Sequence, residues 1–364
     1  MRLSYGVTGN DAVSIYGTQS NVSNRNYDFG GDVSTSYYKN GLANSKLTWE
    51  RTQEFNIGLD FGFFRNRING SLDVYQRTSK DLIMERQLPS TTGWTSVWDN
   101  IGKVRNTGLE LSINTINVQT SDFSWQTNII FDTNKNEILE LYGGKKDDIG
   151  NKWFIGEAIN VNYDYEFDGI WQTSEADKAA IYGQTPGQVK VKDQNHDNVI
   201  DAKDKVILGQ QLPKWTGSIT NTFTYKNWDL AFNVYTRQGA QLNSTFVSSF
   251  MAYDGNYNQA KVDYWTETNP TNKYPQPGNK GKYFSSMCYQ DVSFVRVGYI
   301  TLGYTFPMSL LKPIGIKRLK LYATANNPFL FTSFKGFDPE WATQNTWGEA
   351  TSTRTFLFGV KLAF

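Results

Sequence analysis

Twelve consecutive residues carry the spacing of a cation loop. Asp193, Asn195, Asp197, Asp201 and Asp204 put oxygen-bearing side chains at the first, third, fifth, ninth and twelfth places, with Val199 at the seventh. Hard oxygen donors at that spacing can wrap calcium, the Val199 carbonyl supplying a further ligand. Asn198 stands where glycine is usual, and asparagine tolerates the left-handed backbone that such a turn needs. A calcium site of this extracellular kind would be weak, with a Kd of about 10⁻⁴ to 10⁻³ M. The same residues also read as a solvated turn rich in Asp and Asn.

A second group is aromatic: Trp94, Trp98, Trp153, Trp171, Trp265, Trp341 and Trp347 all fall outside the clearest strand patterns. Sugar rings present apolar C–H faces that stack on aromatic planes, so these rings are candidates for contact with a glycan or with a partner covering it. The competing reading is that they pack the loops together. Nucleophilic chemistry has little to work with, because His196 and Cys288 are the single histidine and single cysteine and His196 sits in an acidic turn. Carboxylates are plentiful, but no pair stands out as the acid and base of a glycosidase. The expectation is no catalytic residue and no cofactor beyond calcium. A net charge of +1 gives no electrostatic case for nucleic acid.

The elements that position these residues are strands. Phe55, Ile57, Leu59, Phe61 and Phe63 alternate with Asn56, Gly58, Asp60 and Gly62, and after a turn at Arg65-Asn66-Arg67 the chain returns through Ile68, Gly70, Leu72 and Val74. The pattern recurs in hairpins around Gln119 and Asn227, in strands over Val292–Phe306 and Arg318–Asn326, and in Thr355–Phe364. Counting gives about ten strands, whose joins alternate between short and long. Those near Asn66, Gln119, Asn227 and Leu311 are short; those after Thr8, Met84, Asn134, Gln238 and Pro328 are long.

No stretch of about 18 apolar residues is present, so a spanning helix is excluded, while barrel strands cross a bilayer with about 9 to 11 alternating residues. Short turns at one end and long loops at the other are the asymmetry of an outer-membrane barrel. The polar face carries Asp60, Asp73, Arg77, Glu110, Asn114, Asp132, Asp229, Asn233, Arg237 and Lys361. Around a barrel these line a wet lumen; in a soluble sandwich they would face outward. Phe63, Trp125, Tyr225, Trp228 and Tyr304 lie near strand ends, where interfacial girdles form.

Several segments resemble the carboxyl-terminal half of SusC/RagA-type TonB-dependent outer-membrane transporters. They are Leu3-Ser4-Tyr5-Gly6-Val7-Thr8-Gly9-Asn10, Leu47-Thr48-Trp49-Glu50 with Asn56-Ile57-Gly58-Leu59-Asp60-Phe61, and Asn100-Ile101-Gly102-Lys103-Val104-Arg105-Asn106-Thr107-Gly108-Leu109-Glu110-Leu111. Further along come Ile300-Thr301-Leu302-Gly303-Tyr304-Thr305-Phe306-Pro307, Asn326-Asn327-Pro328-Phe329, Phe337-Asp338-Pro339-Glu340 and the terminal Phe364.

The resemblance implies an all-β fold: an antiparallel transmembrane barrel of about 22 strands around a plug, with long extracellular loops. Residues 1–364 would supply about ten carboxyl-terminal strands; the signal peptide, TonB box and plug have no counterpart among them. It further implies a Bacteroidetes-like outer membrane, a SusD-like surface lipoprotein as lid, coupling to the TonB complex through an amino-terminal part, contact with outer-membrane lipid, and uptake of oligosaccharides or peptides. Two other readings stay open: a soluble or surface carbohydrate-binding β protein, and a small autonomous porin-like barrel.

Overall fold

The computed structural model describes residues 1–11, 18–142, 144–253, 259–342 and 351–364. Ten strands form one antiparallel sheet: β1 (Arg2–Asn10), β2 (Glu50–Phe63), β3 (Ile68–Lys80), β4 (Lys103–Gln119), β5 (Phe123–Glu140), β6 (Trp215–Tyr225), β7 (Trp228–Gln238), β8 (Phe294–Thr305), β9 (Arg318–Thr332) and β10 (Thr355–Ala363). Their order in the sheet is their order in the chain. This is a pure meander, and its connections alternate between short and long as the sequence pattern predicts.

The chain divides into two compact units, residues 1–60, 72–109 and 134–159 forming one and 61–71, 110–133 and 160–364 the other. In the first, β1 pairs with β2 so that Leu3 faces Ile57 and Tyr5 faces Phe55. On the alternate face Arg2 bridges Asp60 at 3.0 Å and Asp73 at 2.9 Å. A small core of Val104, Ile138 and Leu141 lies under the loops, with Trp153 packed against it. The loop joining β1 to β2 holds a hairpin, Val22–Phe29 with Asp32–Lys39, where the sequence reads as a Gly/Ser/Asn/Tyr-rich loop.

In the second unit the register lines up whole rows. Tyr225, Trp228, Tyr304, Leu321 and Val360 stand side by side on one face; Phe223, Leu230, Leu302, Ala323 and Phe358 form the next row. Phe358 is 82% exposed and Val360 63%, so this face is not the inside of a sandwich. The opposite face is polar, with Lys320 on Asp229 at 2.6 Å. One polar intruder on the apolar face, Asn221, is satisfied there, accepting from Trp125 Nε1 at 2.9 Å and Thr127 Oγ1 at 2.7 Å.

Two boundaries differ from the sequence reading. β9 runs through Asn326 to Thr332, and β5 runs six residues past Asn134 to Glu140 before the long insertion begins. The insertions also fold more fully than their composition suggests. Residues 160–214 and 239–293 contain helices α1 (Ala176–Ile181) and α2 (Thr245–Phe250) and several short strand pairs. They share a core of Ile170, Val189, Val247, Trp265, Met287 and Cys288.

Candidate functional site

The loop from Asp193 to Asp204 is shaped by its own side chains. Asp193 accepts from the His196 amide at 2.7 Å and the Asn198 amide at 2.9 Å. Asn195 accepts from the Asp197 amide, and Asp197 from the Val199 amide. His196 and Asn198 adopt left-handed φ values of 59° and 64°, so asparagine takes the conformation for which glycine is usual. Asp204 is fully buried and accepts from the amides of Gln194 at 2.9 Å and Asp201 at 2.8 Å.

Partial desolvation opposes ionisation of Asp193; hydrogen bonds from the Asn198 amide, the Tyr182 hydroxyl and the His196 amide outweigh it and hold the carboxyl below its ordinary range. Tyr283 donates to the Ile200 carbonyl at 3.4 Å, fastening the loop to the core beneath it. Among the described residues no group of three or more His, Cys, Asp or Glu side chains is arranged to hold a metal ion. Each of the loop's four aspartates accepts from at least one backbone amide, which fixes the turn.

The tryptophans separate into classes. Trp94 and Trp98 line one cleft of about 280 Å³ together with Gln19, Asn21, Asn40 and Glu85. Trp98 lies on the hairpin Ile83–Gln87 with Ser96–Asn100 and is 44% exposed. An aromatic face edged by amides and a carboxylate is chemistry that receives a polyol or a peptide backbone. Trp341 is also exposed, its indole N–H donating to Ser352.

Trp171 and Trp265 correct the sequence reading. They are 5% and 2% exposed, with their indoles donating to Gln184 and Gln172, so these rings pack the loops and present no face to a ligand. Trp153 packs against the small core of the first unit. Trp347 lies outside the described residues. Cys288 is fully buried, and burial pushes its thiol up to about 12, which leaves it protonated and unreactive.

One charged group was not singled out from the sequence. Arg296 on β8 is 2% exposed and bridges Asp338, 4% exposed, at 2.5 Å. Glu340 accepts from the Tyr235 hydroxyl at 2.9 Å and bridges Arg237 at 3.2 Å. The Asp338-Pro339-Glu340 turn is thereby pinned to the polar face of β7 and β8. Arg296 as the one charged residue of β8, with Asp338-Pro339-Glu340 in the loop after β9, was the available signal.

The family model for the TonB dependent receptor-like β-barrel matches residues 2–327. The chain belongs to that family. TonB-dependent receptor P26 of Formosa agariphila is 32% identical over 356 residues, which cover 93% of this chain and 36% of that protein. TonB-dependent receptor SusC of Bacteroides thetaiotaomicron is 30% identical over 381 residues, covering all of this chain and 37% of that protein. Among solved structures, the RagAB peptide transporter superposes over the whole chain with a TM-score of 0.77 at 26% identity, covering 40% of its own chain. The ten-stranded antiparallel sheet is thus part of the TonB-dependent receptor barrel that the resemblance implies, and the likeness to SusC and RagA holds along the chain. The chain spans between a third and two fifths of these relatives.

Proposed function

We propose that the chain is the carboxyl-terminal part of an outer-membrane, TonB-dependent importer that takes up oligosaccharides, or peptides as in the RagAB case, beneath a SusD-like surface lipoprotein. The observation that carries this reading is the exposed apolar row of β10, Phe356, Phe358, Val360 and Leu362, set against the polar face of the same sheet. Such a two-faced strand is stable where lipid meets one side and water the other. Family membership supports the same reading, and it assigns no covalent chemistry to the chain.

The cleft at Trp94 and Trp98 is the proposed point of contact with cargo or lid, with Trp341 as a further contact. In the native host, deletion of the gene is expected to abolish growth on one class of oligosaccharide or peptide, and Trp94→Ala with Trp98→Ala is expected to slow it. Unchanged growth of the deletion strain on every such source would overturn the import reading. A carbohydrate-binding soluble protein would instead be recovered without detergent.

Calcium at Asp193, Asn195, Asp197, Asp201, Asp204 and the Val199 carbonyl is proposed as a pin for the loop it closes. Millimolar calcium is expected to give a binding heat with the full-length receptor that Asp193→Ala and Asp197→Ala abolish. No such heat, or one indifferent to both substitutions, would remove the ion from the account.

A further inference from the structure

The apolar face of the second unit is not smooth. A groove of about 540 Å³ opens between Trp228, Leu302, Tyr304, Leu321, Phe358 and Val360. Register explains the hollow: Ala323 lies between Leu302 and Phe358, and Ala325 between Ile300 and Phe356, so methyl groups sit where the neighbouring strands carry large side chains. Its lining is overwhelmingly apolar, and the polar Asp229–Lys320 pair belongs to the other face.

The connection at the short-turn end carries cations. No acidic residue occurs between Asp291 and Asp338, whereas Lys312 and Lys317 lie in the connection from β8 to β9. Both are exposed. The same connection exposes Met308, Leu310 and Ile314, and carries the helical turn α3 (Met308–Leu311). Apolar side chains beside lysines, next to Trp228 and Tyr304, make the composition of a headgroup boundary.

We propose that this groove holds one acyl chain of an anionic glycerophospholipid, with the phosphate met by Lys312 and Lys317. The inference rests on the outer-membrane reading above. Distances agree with it: Leu321 and Ala323 lie four and six residues from Lys317, about 13–20 Å at ~3.4 Å per residue. A strand tilt of about 45° turns that into a depth of about 9–14 Å, within one leaflet of a ~30 Å hydrocarbon core. Charge selects the ligand, because an uncharged or zwitterionic lipid would leave the two lysines without an answering net charge.

The test uses the full-length receptor, extracted from outer membranes in mild detergent and examined by native mass spectrometry with added phosphatidylglycerol or phosphatidylcholine. One phosphatidylglycerol is expected to be retained in preference to phosphatidylcholine. Ala323→Trp, which fills the groove, is expected to abolish retention. Lys312→Gln with Lys317→Gln leaves the strands untouched and is expected to weaken it by at least about fivefold. Equal retention by wild type and both variants, no retention by the membrane-inserted receptor, or retention of a lipopolysaccharide mass instead would overturn the inference. Recovery of the wild-type receptor without detergent would overturn the membrane reading itself.

Discussion

Arg296 and Asp338 show how a single buried charge constrains a loop. With the guanidinium almost wholly out of water, removing the carboxylate leaves a charge that nothing nearby fully answers, since Glu340 stands 3.8 Å away. Breaking a buried pair from one side costs about 3–5 kcal/mol, whereas replacing both partners by apolar groups costs far less. Asp338→Ala is therefore expected to lower the thermal transition of the full-length receptor and to open residues 333–342 to protease, and Arg296→Met combined with Asp338→Ala to restore much of the loss. Equal defects in single and double variants would show that the pair is not coupled. The loop carboxyls give a pH dependence of definite sign. Asp193 and Glu175 both sit below the ordinary carboxyl range, desolvation in each case being outweighed by hydrogen bonds to amides and, for Glu175, by Lys190. A depressed carboxyl stabilises the fold above its unfolded value, about 4, and that contribution is lost as pH falls through the folded value. Amide exchange across residues 172–205 is expected to quicken below about pH 4 ahead of exchange in β6 and β7; simultaneous loss would count against it.

Strands were legible where alternation was clean, as in Phe55 to Val74, because period two and a tight turn leave one solution. The sequence pattern ends this strand at Asn326, six residues before β9 ends, for a physical reason. Asn326-Asn327-Pro328 reads as a breaker, yet the register shifts opposite Gly298 and Asn327 takes a φ of 48°, so a bulge absorbs the proline where no ladder N–H is needed. The loop core was not legible at all: Ile170 and Cys288 meet across more than a hundred residues with no shared periodicity to announce them. For the same reason composition alone did not separate Trp171 and Trp265, which are buried there, from Trp98, which is not. Gly70 illustrates a constraint on an element that its own backbone angles do not impose. A Cβ there would run into the Ser112 carbonyl on β4 and stand 2.8 Å from the Phe61 ring. Gly70→Val is expected to force β3 and β4 apart at a cost of about 1–3 kcal/mol, read as a smaller folded fraction in heat-modifiability gels; wild-type behaviour would mean that the strands can shift to admit it.

At the scale of the whole molecule the deciding property is that adjacent residues of one strand face different solvents. Phe358 and Leu357 are neighbours on β10 and both are exposed, but register puts Phe358 beside Ala323 and Leu302 on the apolar face and Leu357 beside Thr324 on the polar one. In a water-soluble protein, lysine at either exposed position would change stability little. In a barrel within lipid the two positions part company, because a lysine on the lipid face near the bilayer midplane costs about 2–4 kcal/mol while a lumenal one is solvated. Phe358→Lys is therefore expected to cut the yield of folded, outer-membrane receptor severely, and Leu357→Lys to leave it near wild type. Lys361 already occupies the polar face two pairs from Tyr322, its ammonium 5.6 Å from that ring, so the sheet accepts a cation there. Equal outcomes for the two substitutions would contradict a strand set between lipid and water, and with it the transporter reading that depends on that strand.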